Sequence, residues 1–213
     1  MNIHTLIIIA ANLLISMRGF RDDSFFERYK FNIRALGRGE YKRWLSSGFL
    51  HVDWPHFAFN MITLYFFAYI IIGEMGVLHF YVLYLISLLA GNLLSYYFHS
   101  KEPNYSAVGA SGAVTGIVYA AILLNPEMSV YLYFIPIPIP FYVVGVGYLL
   151  FSIYGMKTRL GNIGHDAHFG GAIGGYGYTI LAAPWVMEVH LWAVLLMAAP
   201  IGWLFYLKSN NKL

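Results

Sequence analysis

The sequence predicts an all-α, polytopic membrane protein, a bundle of hydrophobic helices. Three observations carry that reading. Of the 213 residues, 59% are apolar and 11% are charged, whereas soluble domains average about 25% charged residues. The mean hydropathy is +0.62. The charges are also gathered rather than scattered, with twelve of the 13 Lys+Arg and 10 Asp+Glu lying between Arg18 and Leu50.

Seven apolar windows follow, near 3–17, 55–72, 77–98, 107–125, 136–153, 167–186 and 189–207, and none contains Lys, Arg, Asp or Glu. Each approaches the ~20 residues that a spanning helix needs. They are continuously apolar rather than alternating, which argues for helices over a barrel. The first is short and interrupted by Asn12, but it lacks the basic n-region and small-x-small cleavage site of a secretory signal, so it reads as a span. The long first loop, 18–54, carries too many aromatic residues for a solvated linker, and an ordered loop partly seated at the lipid interface is expected. Pro136, Pro138 and Pro140 favour extended backbone, so the fifth helix should begin near Phe141.

The same composition excludes other classes. High hydrophobicity with low charge excludes disorder. Without cysteine there is no disulfide framework, thiolate nucleophile or Cys-based metal site. A net charge of +3 is too small to suggest nucleic-acid binding. With seven spans, all 13 Lys and Arg fall on one side of the membrane, which the positive-inside rule alone would make cytoplasmic.

Polar and ionisable groups at membrane depth are costly and default to function. Three segments hold them. At the start of the second span, His56 and Asn60 are four apart and share a helical face. Both can donate hydrogen bonds while neutral, as a developing oxyanion requires; an interhelical bond that glues the bundle is the plainer alternative. The segment Gly109-Ala110-Ser111-Gly112 puts a serine between glycines that let other backbone approach closely. Gly112 and Gly116 could equally be a small-xxx-small packing face. A helix starting near Ser106 would carry Ser111 roughly 8 Å inward. In the third segment, His165-Asp166-Ala167-His168, His168 shares a face with Gly171 and Gly175. A metal held by His165 and His168 would need a third ligand, such as His51, His56 or Asp53.

His56, Ser111 and His168 all lie near the N-termini of even-numbered spans, which run in one direction, so they share one depth. A hydroxyl, an imidazole base and separate donors are the minimum set for acyl transfer. Asp166 lies nearly opposite His168 on a helix, so a dyad is expected rather than a triad.

Over about residues 12–175 the chain resembles the rhomboid intramembrane serine proteases. The motifs are His51-x4-His56-x3-Asn60, Gly109-Ala110-Ser111-Gly112 and Ala167-His168-x2-Gly171-x3-Gly175. The resemblance implies a six-helix core over 1–187, with 188–213 adding a seventh helix and tail. It implies Ser111 as nucleophile and His168 as general base, with oxyanion donors in His56, Asn60 and the Ser111 N–H. His51, Gly109, Gly112, Gly171, Gly175 and Arg43 would have supporting roles. The implied partners are transmembrane protein substrates within the lipid bilayer, without nucleic acid, metal or other cofactor. A catalytically silent member that binds and routes membrane proteins is the alternative. The implied location is the cell membrane, plasma or inner, with the site opening on the non-cytoplasmic side, against the charge count. Two departures stand out. Thr115 occupies the place of an aromatic that packs on the catalytic imidazole, leaving Tyr119 as a substitute; and the first-loop Trp-Arg pair reads Lys42-Arg43.

Overall fold

The computed structural model describes residues 2–132, 135–161 and 163–213. Seven long helices organise it: α1 (Ile3–Gly19), α2 (Trp54–Met75), α3 (Val77–His99), α4 (Ser111–Leu124), α5 (Phe141–Thr158), α6 (His165–Ala182) and α7 (Leu191–Ser209). Among them α2, α3, α5 and α7 are long and apolar enough to cross a membrane, while α1 has 17 residues and α4 only 14. The chain is an integral, multi-pass membrane protein.

Local chemistry sets the ends of the elements. Asn2 caps α1 by accepting from the His4 N–H. Asp53 caps α2 by accepting from the His56 N–H at 2.7 Å, with Pro55 in the first turn, where its missing N–H costs nothing. The inner face of α1 mixes Ile8 with polar and small residues, Thr5, Asn12, Ser16 and Gly19, all buried. Asn12 donates to the Ile8 carbonyl and the Tyr84 hydroxyl, the kind of bond that joins helices where lipid supplies no hydrophobic drive.

The first loop is ordered, as its aromatic content leads one to expect. Short helices Asp23–Tyr29, Ile33–Leu36 and Arg43–Ser46 precede a 3-10 turn at Ser47–Phe49. Arg43, 93% covered, organises them: its guanidinium donates to the carbonyls of Glu27 (2.8 Å) and Lys30 (2.7 Å) and to the Glu40 carboxylate. Strand β1 (Phe31–Asn32) pairs antiparallel with β2 (Ser106–Ala107), tying this loop to the segment ahead of α4. Fully buried Phe31 seals the junction against Trp44 and Tyr105.

Helix α4 is the hub. Nearly all of it is buried, and α2, α3 and α6 surround it. It starts at Ser111, not near 107, because Ser106–Ala107 pair as a strand and Gly109 turns the chain at a φ of +129. Fourteen residues give roughly 21 Å, short of the ~30 Å hydrocarbon layer. The loop ahead of α4 therefore dips into the bundle, and Ser111 is the first residue of its helix rather than 8 Å along one.

Beyond α4 the chain makes a hairpin of β3 (Ser129–Leu132) and β4 (Ile135–Pro140). The proline argument places the next helix correctly, at Phe141. Helix α7 packs on α5, with Trp192 edge-on to Tyr142, and Tyr176 of α6 donates to the Val194 carbonyl.

Candidate active site

The site forms where α2, α4 and α6 begin. Ser111, His56, Asn60 and His168 line one open cavity of about 2380 Å³ that also reaches Thr115, Val144, Tyr148 and Phe151. Helices α2 and α5 meet through the stacked rings of Phe67 and Phe141, 4.9 Å apart. On the site side of that contact, Phe59, Thr63 and Phe66 of α2 face the cavity together with Val144, Tyr148 and Phe151 of α5.

Gly109 is where the pieces converge. A Cβ built there would stand 2.7 Å from His56 Cε1, 2.8 Å from His56 Nε2 and 3.5 Å from Ser111 Oγ. Its φ of +129 is also one that other residues rarely adopt. A side chain at 109 would fill the gap between imidazole and hydroxyl. As the first residue of α4, Ser111 offers one of the N–H groups that a helix N-terminus leaves without an intrahelical partner, at the positive end of the helix dipole.

Two bonds hold this loop from below. Gly109 N–H donates to the Ser47 carbonyl at 3.0 Å, and Ala110 N–H donates to His51 Nε2 at 3.4 Å. Since His51 accepts at Nε2, its proton sits on Nδ1, which donates to Ser16 Oγ at 2.8 Å; Ser16 in turn donates to the Phe49 carbonyl. His51 is fully buried. Burial, reinforced by the neighbouring His56 and opposed by Asp53, pushes its pKa down to about 3. It is held neutral.

Asn60, buried, donates to the His56 carbonyl one turn back at 3.1 Å; sequence spacing alone suggested no such partner. His168 takes its hydrogen bond from α5. The Tyr148 hydroxyl lies 2.7 Å from Nδ1, and the two rings stack at 25° with centroids 6.1 Å apart. Tyr148, not Tyr119, thus stands beside the imidazole; Tyr119 donates instead to the Gly145 carbonyl. Spacing could not reveal this, because nothing in one chain's pattern says which face of α5 meets α6. The one signal was the missing aromatic at Thr115. Among the described residues no hydrogen bond joins Ser111 to His168; in free enzymes such bonds are often long and tighten only with substrate.

Other groups near His168 are otherwise engaged. His165 Nε2 donates to the Leu160 carbonyl, and the Asp166 carboxylate accepts from the Tyr105 hydroxyl at 3.1 Å. Asp166 thus fastens the loop ahead of α4 to α6.

The glycines of α6 set the depth of His168. A Cβ at Gly171 would fall 2.0 Å from the Gly112 carbonyl oxygen, and one at Gly175 would fall 2.2 Å from that of Gly116. Gly170 and Gly174 do the same toward Ala90 of α3. Paired glycines therefore serve two neighbours from one helix, and Gly112 lies in the seam rather than in the pocket.

A family model for the rhomboid domain matches residues 38–185. The chain belongs to the rhomboid family. It is 29% identical over 182 residues to "RHOMBOID-like protein 12, mitochondrial" of Arabidopsis thaliana, covering 78% of this chain and 54% of that protein. It is 30% identical over 145 residues to "Rhomboid protein 1, mitochondrial" of Saccharomyces cerevisiae, covering 65% and 42%. It is 29% identical over 180 residues to "Rhomboid protease GluP" of Bacillus subtilis, covering 80% and 32%. The chain thus spans about half or less of the length of these relatives. Two of the three carry mitochondrial names, so the comparisons lend no support to the plasma membrane expected from sequence.

Proposed function

We propose that the protein is an intramembrane serine endopeptidase acting on transmembrane segments of other membrane proteins. What carries the reading is the meeting of Ser111, His168, His56 and Asn60 on one cavity of a rhomboid-family chain. Ser111 Oγ attacks the scissile carbonyl carbon while His168 Nε2 takes its proton and later passes it to the leaving amine. Water then hydrolyses the acyl-enzyme by the same base. His56, Asn60 and the Ser111 N–H stabilise the oxyanion. His51 and Gly109 keep the nucleophile loop in place, and Arg43 holds the first loop that clamps it. The substrate segment enters between α2 and α5, and the site opens on the non-cytoplasmic side. The chemistry calls for no cofactor.

Labelling with a fluorophosphonate serine probe in detergent micelles tests this. The wild-type protein should be labelled and Ser111→Ala should not, with His168→Ala strongly reduced. Labelling that persists in Ser111→Ala overturns the proposal. A wild-type protein that stays unlabelled but still binds transmembrane segments would be a silent, routing member of the family.

A further inference from the structure

We propose that Tyr148 is the residue that orients the general base, taking over from α5 the work that a carboxylate does in a triad. The proposal rests on the dyad reading above. A histidine that accepts the Ser111 proton must present a bare Nε2, so its own proton must sit on Nδ1 and needs an acceptor there. The group 2.7 Å from His168 Nδ1 is the Tyr148 hydroxyl. Asp166 cannot serve, being engaged with Tyr105, and Tyr119 is turned to Gly145.

Direction decides the chemistry. If the tyrosine donated to Nδ1, the imidazole proton would move to Nε2 and the base would be blocked. If it accepts, Nε2 is bare and free to take the Ser111 proton. Accepting requires the phenol to turn its own proton elsewhere, into the cavity that Tyr148 and Thr115 both line. Where position 115 lacks an aromatic, one arrives beside the imidazole from another helix. The stacked ring adds a second restraint, fixing the plane of the imidazole as well as its proton. Neither His56 nor His165 is hydrogen-bonded to His168 Nδ1 among the described residues.

Because Tyr148 belongs to α5, one flank of the cavity, the orientation of the base depends on where α5 stands. A substrate that displaces α5 outward at this level would release the imidazole, whereas one that seats below it would not.

The test reads the imidazole itself. Nitrogen NMR of histidine-labelled full-length protein in micelles, with His168 assigned by the His168→Gln spectrum, reports which ring nitrogen carries the proton. The proposal expects neutral His168 protonated at Nδ1 in the wild type and a loss of that fixed tautomer in Tyr148→Phe, which keeps the ring. Turnover of Tyr148→Phe should fall about 10–100-fold, as for loss of one hydrogen bond to a charged group, with KM unchanged. A wild-type His168 protonated at Nε2, or a Tyr148→Phe spectrum identical to wild type, overturns it. The wild-type spectrum decides even if the variant misfolds. It also decides if Ser111 is never labelled by the serine probe, a failure that would fall on the protease reading alone.

Discussion

His51 shows how much one side chain can fix. Its two nitrogens bridge Ser16 on α1 and the Ala110 N–H just before Ser111, and the bond at Nε2 requires the neutral ring. A proton on Nε2 would face the Ala110 N–H donor to donor. The unfolded chain takes up that proton near pH 6.5, the folded one only near pH 3. The stability tied to neutral His51 is therefore whole above about pH 6.5 and drains away as pH falls toward 3. Thermal unfolding of wild type and His51→Gln in micelles should show a wide gap at pH 7.5 that narrows at pH 5; parallel curves would mean another group titrates. At the oxyanion side, His56→Ala should lower kcat roughly 10²–10³-fold with little change in KM. Steady-state kinetics on a transmembrane substrate check this, and a raised KM at normal kcat would make His56 a binding residue. Ser111, His168, His56 and Asn60 stand out as candidates because serine, histidine and asparagine are conspicuous in apolar helices. Tyr148 was not, since tyrosine is common in this chain (18 residues) and its partner lies on another helix.

Among the elements, α6 repays the closest reading. Its sequence Gly170-Gly171-x2-Gly174-Gly175 puts one glycine of each pair against α3 and the other against α4, so the height of His168 is set by backbone contact on two sides. Gly171→Ala drives a methyl into the Gly112 carbonyl and should cost about 1–3 kcal/mol, as overpacking does, while also moving His168 away from the site. Gly177 on the same helix has no heavy atom within 4 Å of an added Cβ. Gly177→Ala should therefore be neutral or stabilising, since alanine favours helix by about 1 kcal/mol over glycine. Unfolding temperatures of the two variants in one detergent check the contrast, and equal losses would put the glycines' value in the helix rather than the seam. The sequence pattern announced the close packing of Gly171 and Gly175, and the apolar helices of which four are long enough to cross a membrane, because hydropathy and spacing are local. It did not announce where α4 begins. That depends on β2 pairing with β1, more than seventy residues away in the chain, and such a pairing leaves no local trace.

For the whole molecule, the unresolved tension lies between charge and family. On a seven-span topology every Lys and Arg falls on the side that carries the first loop. The fold gives these side chains work of their own. Arg43 is buried among carbonyls, Lys30 pairs with Glu27, Arg34 donates to Asn104, Arg18 sits over the Phe25 ring and Lys42 over that of Tyr29. Basic residues that a folded loop uses for its own contacts are a weaker guide to topology than basic residues with nothing else to do. Single cysteines can decide, since the native chain has none. Ser24 is exposed in the first loop, and Ser129 is exposed on β3 at the opposite end of the bundle. With a membrane-impermeant maleimide on intact bacterial cells expressing the protein, Ser24→Cys should be labelled, and Ser129→Cys should react only after the membrane is opened. The reverse pattern would place the site in the cytoplasm, leaving the dyad chemistry intact but restricting the substrates to segments that present their cleavage site from within.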